Sequence, residues 1–139
     1  MFPEGLTAQE LNAFSKDTMV EHIDIEFTEV GPDYIVAKMP VNNKTRQPMG
    51  LLHGGASVVL AETLGSVAAS VVVAPLNKVA VGLEISANHL KGKRDGFVIG
   101  TANPLHIGRS THLWEIKIRD EDDQLICVSK ITMAILDKK

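Results

Sequence analysis

The sequence predicts an α+β domain in which a curled antiparallel sheet of six strands wraps around one long central helix. Its 139 residues suit a single domain, 45% are hydrophobic and 22% are charged, which is an ordinary globular balance. One uninterrupted apolar segment lies in the middle of the chain, with alternating apolar and polar segments on both sides. Because no repeat or linker divides the chain, residues 1–139 are interpreted as one domain.

The part of the chain before the apolar segment is predicted to form one short helix and two strands. Thr7 and Glu10 have the spacing of a capping box, which predicts a helix over about residues 8–16. Strict alternation from Ile23 to Phe27 predicts a first strand. A second strand over residues 34–41 follows the turn signal Gly31-Pro32-Asp33.

The apolar segment from Gly54 to Ala74 is predicted to be a helix that ends before Pro75. About 20 residues make a helix near 30 Å long, which is also enough to cross a bilayer. A helix that is apolar on nearly every face is surrounded either by protein or by lipid. The charged Glu62 and the amphipathic strands on both sides favour protein, so no membrane span is predicted.

Four further strands are predicted after the helix, over residues 78–90, 97–107, 111–119 and 124–136. Short polar or glycine-containing breaks separate them. Consecutive strands of this kind form an antiparallel meander, in which each strand pairs with the next.

Charge and cysteine content exclude several classes of function. The net charge of −3 gives no overall positive field for nucleic acid or an anionic membrane. The one cysteine, Cys127, excludes an internal disulfide and a cysteine-rich zinc site. The five histidines have no tight ligand spacing, so no metal is predicted. No G-x-S-x-G motif of an α/β-hydrolase occurs. The N-terminus does not have the pattern of a secretory signal, so we expect a cytoplasmic location.

Glu62 is the only charged residue between His53 and Lys78. No cation lies three or four residues away from it, so an intrahelical ion pair cannot compensate its charge. A buried unpaired carboxylate is costly. The sequence leaves three explanations open: Glu62 faces solvent, pairs with a distant cation, or serves a function.

The sequence His53-Gly54-Gly55 stands where the long helix begins. Backbone N–H groups at a helix start lack partners, and they suit a thioester or carboxyl oxygen that becomes negative during a reaction. A tight strand-to-helix turn is the structural alternative. Helix pitch separates Gly54 from Glu62 by about 11–12 Å, so the two groups meet more easily across a subunit interface than within one chain.

Residues 47–62, QPMGLLHGGASVVLAE, resemble the corresponding stretch of the hotdog-fold acyl-CoA thioesterases, in the branch that includes 4-hydroxybenzoyl-CoA and 1,4-dihydroxy-2-naphthoyl-CoA thioesterases. The similarity continues through VGLEI at residues 81–85, ANH at 87–89, PLHIGR at 104–109 and WEI at 114–116. It implies the hotdog fold, an acyl-CoA substrate with an aromatic acyl group, and no separate cofactor, because coenzyme A is part of the substrate. It also implies a dimer as the minimal unit and a tetramer as the assembly.

The resemblance also implies roles for individual residues. Glu62 would act as nucleophile or as general base toward water, and the Gly54 N–H would polarise the thioester carbonyl. Gln47 and His53 would orient the thioester or the water, and Ser66 would lie near the acyl group. Contacts to coenzyme A are implied for Gly82, His89, Leu90, Lys91, Gly92, His106, Ile107, Gly108, Arg109, Ser110 and Thr111.

Three other functions remain open at this point. A hotdog domain that only binds acyl-CoA would not need an ionisable residue at position 62. A dehydratase would use a histidine–carboxylate pair, for which His53 and Glu62 are candidates. A thioesterase could instead act on acyl groups linked to a carrier protein. Met49 and Ser86 depart from residues that are common in the family, which leaves the acyl specificity open.

Overall fold

The computed structural model describes residues 1–139 as a single antiparallel sheet of six strands packed against one long helix. This is the α+β architecture that the sequence predicts. The elements are α1 (Ala8–Phe14), α2 (Met19–His22), β1 (Glu26–Val30), β2 (Ile35–Pro40), α3 (Gly54–Val73), β3 (Lys78–His89), β4 (Phe97–Ile107), β5 (Thr111–Asp120) and β6 (Leu125–Asp137), with a 3₁₀ turn at Ala74–Leu76 after α3.

Most predicted boundaries agree with the structure, and the exceptions lie near the N-terminus. The long helix begins at Gly54, and β4 has the predicted bounds. The prediction of a strand that begins at residue 23 is wrong, because β1 begins only at Glu26 and residues 23–25 form a turn after α2. Ile23 and Ile25 are buried, but they flank Asp24, whose φ of 62° is left-handed and breaks an extended strand. Their alternation therefore reflects a turn that buries two side chains.

The predicted meander holds for β4, β5 and β6 but not for β3. The strand order is β1-β2-β4-β5-β6-β3, so β3 pairs with β6 at the edge of the sheet. The position beside β4, which was expected for β3, is taken by β2. The chain crosses from β3 to β4 through the connection at residues 90–96, where Leu90 and Lys91 donate backbone hydrogen bonds to the Ile126 carbonyl. Edge position leaves one side of β3 without a strand partner.

One face of α3 is buried against the sheet. Its buried positions recur every three or four residues, as expected for a helix that packs along one side. Gly65 marks a close approach, since a β-carbon there would lie 2.4 Å from Cγ2 of Ile131 on β6. The buried residues of α3 are Ser57, Leu60, Ala61, Leu64, Gly65, Ala68, Ala69 and Val73.

The opposite face of α3 is not covered by the chain, contrary to the expectation of a helix wrapped on every side. Gly55, Glu62 and Ser70 are exposed, and Val58 and Ser66 beside them are half-buried. These five residues define the open stripe of α3. Length and composition alone would let residues 54–76 span a membrane, but 44% of an 18-residue apolar stretch of this segment is buried within the domain. The apolar residues of α3 therefore serve the core on one side and remain accessible on the other.

An ion pair ties the β3–β4 connection to the β5–β6 turn. Lys93 Nζ lies 2.6 Å from Oε1 of Glu121, and the Phe97 N–H donates to Oε2 of the same carboxylate. The hydrogen bond from Lys93 holds the pKa of Glu121 at about 2, well below its ordinary value of 4.5. The same contact raises the pKa of Lys93. The pair fixes the connection that follows His89.

We predict that Glu121→Gln lowers the thermal midpoint at neutral pH. Because the pKa of Glu121 is lower in the folded than in the unfolded state, its contribution is complete above about pH 4.5 and is lost as the pH falls toward 2. The difference in midpoint between wild type and variant should therefore shrink across this range, measured by circular dichroism. Glu4→Gln, at an exposed glutamate without an ion pair, is the control. A difference in thermal midpoint that stays constant with pH would contradict the lowered pKa of Glu121 in the folded state.

Candidate active site

The start of α3 is held by its own N-cap residue, His53. The His53 side chain accepts a hydrogen bond at Nδ1 from the Gly55 N–H, 2.8 Å away, while the His53 N–H donates to the Thr45 carbonyl. Histidine at the N-cap here performs the task that Ser, Thr, Asp or Asn usually perform. Because Nδ1 accepts, a neutral His53 carries its proton on Nε2 and can offer a donor to the outside.

The Gly54 N–H makes no hydrogen bond within the chain. It lies in the first turn of α3, where the helix dipole adds a partial positive charge. The His89 ring packs over Gly54, and a β-carbon at this position would lie 2.9 Å from Nε2 of His89. Only glycine leaves room for that ring. A free N–H at a helix start, beside an imidazole, is an arrangement that can bind a developing oxyanion.

Gln47 lies in the loop that leads into this turn. Its Oε1 accepts a hydrogen bond from the Met49 N–H, and its backbone N–H donates to the Leu51 carbonyl. The loop is anchored to the β3–β4 connection by Leu52 N–H, which donates to the Lys93 carbonyl at 2.7 Å. The amide group of Gln47 is thereby oriented with its Nε2 donors left free for a ligand.

Glu62 lies in the open stripe of α3 and faces the edge strand β3. It forms no ion pair and no hydrogen bond with another side chain, so the explanation of a distant cation partner does not apply within one chain. A β-carbon at Gly82 would lie 3.2 Å from Oε2 of Glu62. Gly82 sits at a β-bulge, and the two residues line a small cavity of about 110 Å³ together with Glu84. In one chain the carboxylate is accessible and unneutralised.

Ser66 lies one helical turn beyond Glu62 and lines a different, larger cavity. This cavity of about 590 Å³ lies between the second half of α3 and the N-terminal segment that carries α1. Val67, Ser70 and Val71 line it from α3, and Leu11 and Phe14 line it from α1. Its volume is within the usual range for small-molecule sites. Ser66 was predicted as a site residue, whereas Ser70, one turn further along α3, was not.

The residues predicted to contact coenzyme A fall into two groups. His89, Leu90, Lys91 and Gly92 line a cavity of about 310 Å³ together with Gln47 and Gly54. Residues 106–111 instead form the tip of the β4–β5 hairpin, where the Gly108 N–H donates to the Thr111 carbonyl. Predicted residues that the structure places at this tip are His106, Ile107, Gly108, Arg109, Ser110 and Thr111.

The two groups lie at opposite ends of β3. At the hairpin tip, the Ser110 carbonyl accepts a hydrogen bond from the Ile135 N–H, and Ile135 pairs with Ala80 near the start of β3. His89 is the last residue of the same strand. Nine residues of extended chain separate the two ends by about 30 Å. Gly82 and Glu62 belong to the hairpin end, and Gly54 belongs to the His89 end. One chain thus presents two half-sites.

The positive side chains near these half-sites differ in their availability. Lys93 is engaged by Glu121, and Lys91 Nζ lies 4.0 Å from the buried Asp120 carboxylate. Arg94 reaches the Met49 carbonyl through Nη1 at 3.5 Å. Arg109 is exposed and forms no ion pair. Arg109 is therefore the most available cation for a phosphate group, followed by Lys91, whose contact with Asp120 is at the distance limit of an ion pair.

His112 is a buried titratable residue beside the hairpin tip that the sequence analysis left without a role. Trp114 Nε1 donates a hydrogen bond to its Nδ1 at 3.3 Å. Burial first, and the nearby His106 second, lower the pKa of His112. Burial and the hydrogen bond accepted at Nδ1 both favour the neutral form of this imidazole. No three His, Cys, Asp or Glu side chains converge where they could hold a metal ion.

Comparisons with known proteins agree on one family. Residues 49–127 match the family model described as the thioesterase superfamily. The chain is 56% identical over 125 residues to a putative esterase of Vibrio cholerae, covering 90% of this chain and 83% of the relative. It is 50% identical over 131 residues to the 1,4-dihydroxy-2-naphthoyl-CoA hydrolase of Escherichia coli, covering 94% and 96%. A crystal structure of a mutant thioesterase from Pseudomonas aeruginosa has a TM-score of 0.94 at 41% identity and covers 97% of each chain.

We predict that His53→Ala destabilises the protein by about 1 kcal/mol, the usual cost of removing an N-cap. His53→Asn should recover most of this loss, because asparagine is a good N-cap residue. Urea unfolding monitored by circular dichroism measures both values. Equal stability of the alanine variant and the wild type would show that the hydrogen bond to Gly55 does not hold the turn.

Proposed function

This chain belongs to the thioesterase superfamily and is an enzyme that hydrolyses thioesters, and we propose that its substrate is an aryl-CoA thioester, which it converts to the free acid and coenzyme A. The relative named 1,4-dihydroxy-2-naphthoyl-CoA hydrolase, together with an apolar cavity next to Ser66, supports an aromatic acyl group. The cytoplasmic location expected from the sequence is part of the same proposal.

One observation carries the proposal: an unpaired carboxylate and an unpaired N–H lie on the same accessible side of α3. Neither Glu62 nor the Gly54 N–H has a partner in the chain. Their separation along the helix axis, about 12 Å, is too great for both to act on one carbonyl carbon. A second copy of the chain, placed with its α3 antiparallel to the first, would bring each carboxylate next to the glycine turn of the other copy.

Hydrolysis then follows from the chemistry of the two groups. The Gly54 N–H donates to the thioester carbonyl oxygen, whose negative charge grows as the tetrahedral intermediate forms. As a general base, Glu62 takes a proton from water while the water oxygen bonds to the carbonyl carbon; the C–S bond then breaks and the coenzyme sulfur is protonated. As a nucleophile, Glu62 bonds to the carbonyl carbon, the C–S bond breaks and the coenzyme leaves as a thiolate that is then protonated; water hydrolyses the resulting mixed anhydride in a second step. Both routes give the acid and the thiol.

Two accessible surfaces favour pairing with a second copy. The outer edge of β3 has no strand partner, and Val81 and Leu83 on this strand are 47% and 64% exposed. An unpaired edge of twelve residues is a template for an antiparallel strand from another copy. The open stripe of α3 lies beside it. A two-fold pairing would also join the His89 half-site of one copy to the hairpin half-site of the other. A tetramer of such dimers is part of the proposal.

The alternatives considered from the sequence are less well supported. A domain that only binds acyl-CoA has no need of an accessible carboxylate packed closely against Gly82. A dehydratase would need His53 to take a proton from the substrate, but with Nδ1 bonded to the Gly55 N–H the accessible Nε2 of a neutral ring is a donor and not a base. An acyl group on a carrier protein is attached through the same kind of thioester. Rates of hydrolysis of an acyl-CoA and of the same acyl group on a carrier protein distinguish the two substrates.

We predict that Glu62→Gln lowers kcat for benzoyl-CoA hydrolysis by at least ~10²-fold, because it removes the base or nucleophile. The matched control is Glu84→Gln, which alters a neighbouring carboxylate that lines the same small cavity. Its kcat should stay close to that of the wild type. Release of free thiol, followed with a chromogenic disulfide, measures both. Near-native turnover by Glu62→Gln would exclude Glu62 from the reaction.

We also predict that Val58→Cys can be cross-linked to itself in the active dimer. If Gly54 of each copy faces Glu62 of the other, the symmetry axis passes the midpoint of these residues, which is Val58. A short bismaleimide should give a covalent dimer on denaturing gels, whereas the control Thr28→Cys, exposed on β1, should not. The buried Cys127 gives little background. A fully active monomer in sedimentation velocity would overturn the shared site.

A further inference from the structure

Three polar side chains follow one another along the open stripe of α3. Glu62, Ser66 and Ser70 are spaced by four residues, so they lie on nearly the same side of the helix. Ser70 is about 12 Å beyond Glu62 along the helix axis. The last two of these residues line the 590 Å³ cavity. A thioester whose carbonyl carbon is next to Glu62 would therefore direct its acyl group toward Ser70.

The hydroxyl groups in this cavity are not equivalent. Ser15 donates to the Leu11 carbonyl, and Thr18 donates to the Ser15 carbonyl, so both are used within the N-terminal segment. Ser66 and Ser70 form no side-chain hydrogen bond in the chain, although serine in a helix commonly bonds to the carbonyl four residues earlier. Val67, Val71 and Phe14 supply an otherwise apolar lining. Two free hydroxyls in apolar surroundings can recognise a polar substituent.

We infer that Ser70 determines acyl specificity: the cavity between α1 and α3 holds an acyl group longer than one aromatic ring, and the Ser70 hydroxyl bonds a hydroxyl substituent at its far end. A single benzoyl ring attached beside Glu62 would leave the region at Ser70 unfilled. The N-terminal segment forms the opposite wall, with Phe14 82% exposed at its rim. This inference rests on the proposed thioester hydrolysis with Glu62 at the reacting carbon.

The experiment compares three substrates: 6-hydroxy-2-naphthoyl-CoA, 2-naphthoyl-CoA and benzoyl-CoA. Ser70→Ala removes the hydroxyl, and Ser70→Trp fills the cavity. Ser70 is exposed, so neither change should prevent folding, which the thermal midpoint checks. Thr101→Val, a hydroxyl loss at a half-buried position on β4, is the matched control. For each protein, kcat/KM is measured for all three esters.

We expect Ser70→Ala to lower the kcat/KM ratio of 6-hydroxy-2-naphthoyl-CoA to 2-naphthoyl-CoA by about 5-fold, as the loss of one hydrogen bond should. Ser70→Trp should lower kcat/KM for both naphthoyl esters by at least ~10-fold relative to benzoyl-CoA, because the bulky ring occupies their space. Thr101→Val should change neither ratio.

The outcomes separate this inference from the proposed function. If either Ser70 variant keeps the wild-type ratio while benzoyl-CoA is still hydrolysed, the role of Ser70 is wrong and the proposed hydrolysis stands. If the wild type hydrolyses none of the three esters, the proposed aryl-CoA activity fails, and the inference that rests on it is overturned as well.

Discussion

The contact between one face of α3 and one side of the sheet is the constraint on which the rest of the structure depends. Glycines allow the helix and the sheet to approach closely. A β-carbon at Gly65 would collide with Ile131, and one at Gly100 on β4 would lie 2.6 Å from Leu64. Close packing at these points lets Leu60 and Leu64 become fully buried. The same contact fixes the rotation of α3 about its axis, and so decides that Glu62, Ser66 and Ser70 face outward together.

Local sequence signals are sufficient for α3 and insufficient for the arrangement of the strands. His53 and the glycines mark the helix start and Pro75 marks its end, because capping and the missing N–H of proline act within a few residues. Ile23 and Ile25 show the limit of such signals, since burial in a turn produces the same alternation as a strand. The edge position of β3 depends on pairing with β6, and a pattern within β3 does not specify its partner.

Some residues of the candidate site can likewise be found from the sequence, whereas others require the structure. Glu62 stands out in the sequence because it is the one charge in an apolar helix, and Gly54 stands out because it follows an N-cap. The family resemblance adds the residues around His89 and the hairpin tip, but it does not reveal that they lie about 30 Å apart in one chain. Ser70 could have been found from its four-residue spacing from Ser66. What directs attention to it is the cavity, which requires the position of α1 and is not a property of α3 alone.

The pairing of β3 with β6 has a consequence for how the chain folds during its synthesis. The two strands are joined only after the whole of β4 and β5 has been synthesised, so a nascent chain holds α3 and β3 for some time without the strand that lies beside them. During that interval the backbone edge of β3 that later pairs with β6 is also unpaired, so both edges of this strand can associate with other nascent chains. Translation speed through β4 and β5 should therefore influence the yield of native enzyme more strongly than translation speed through the first two strands.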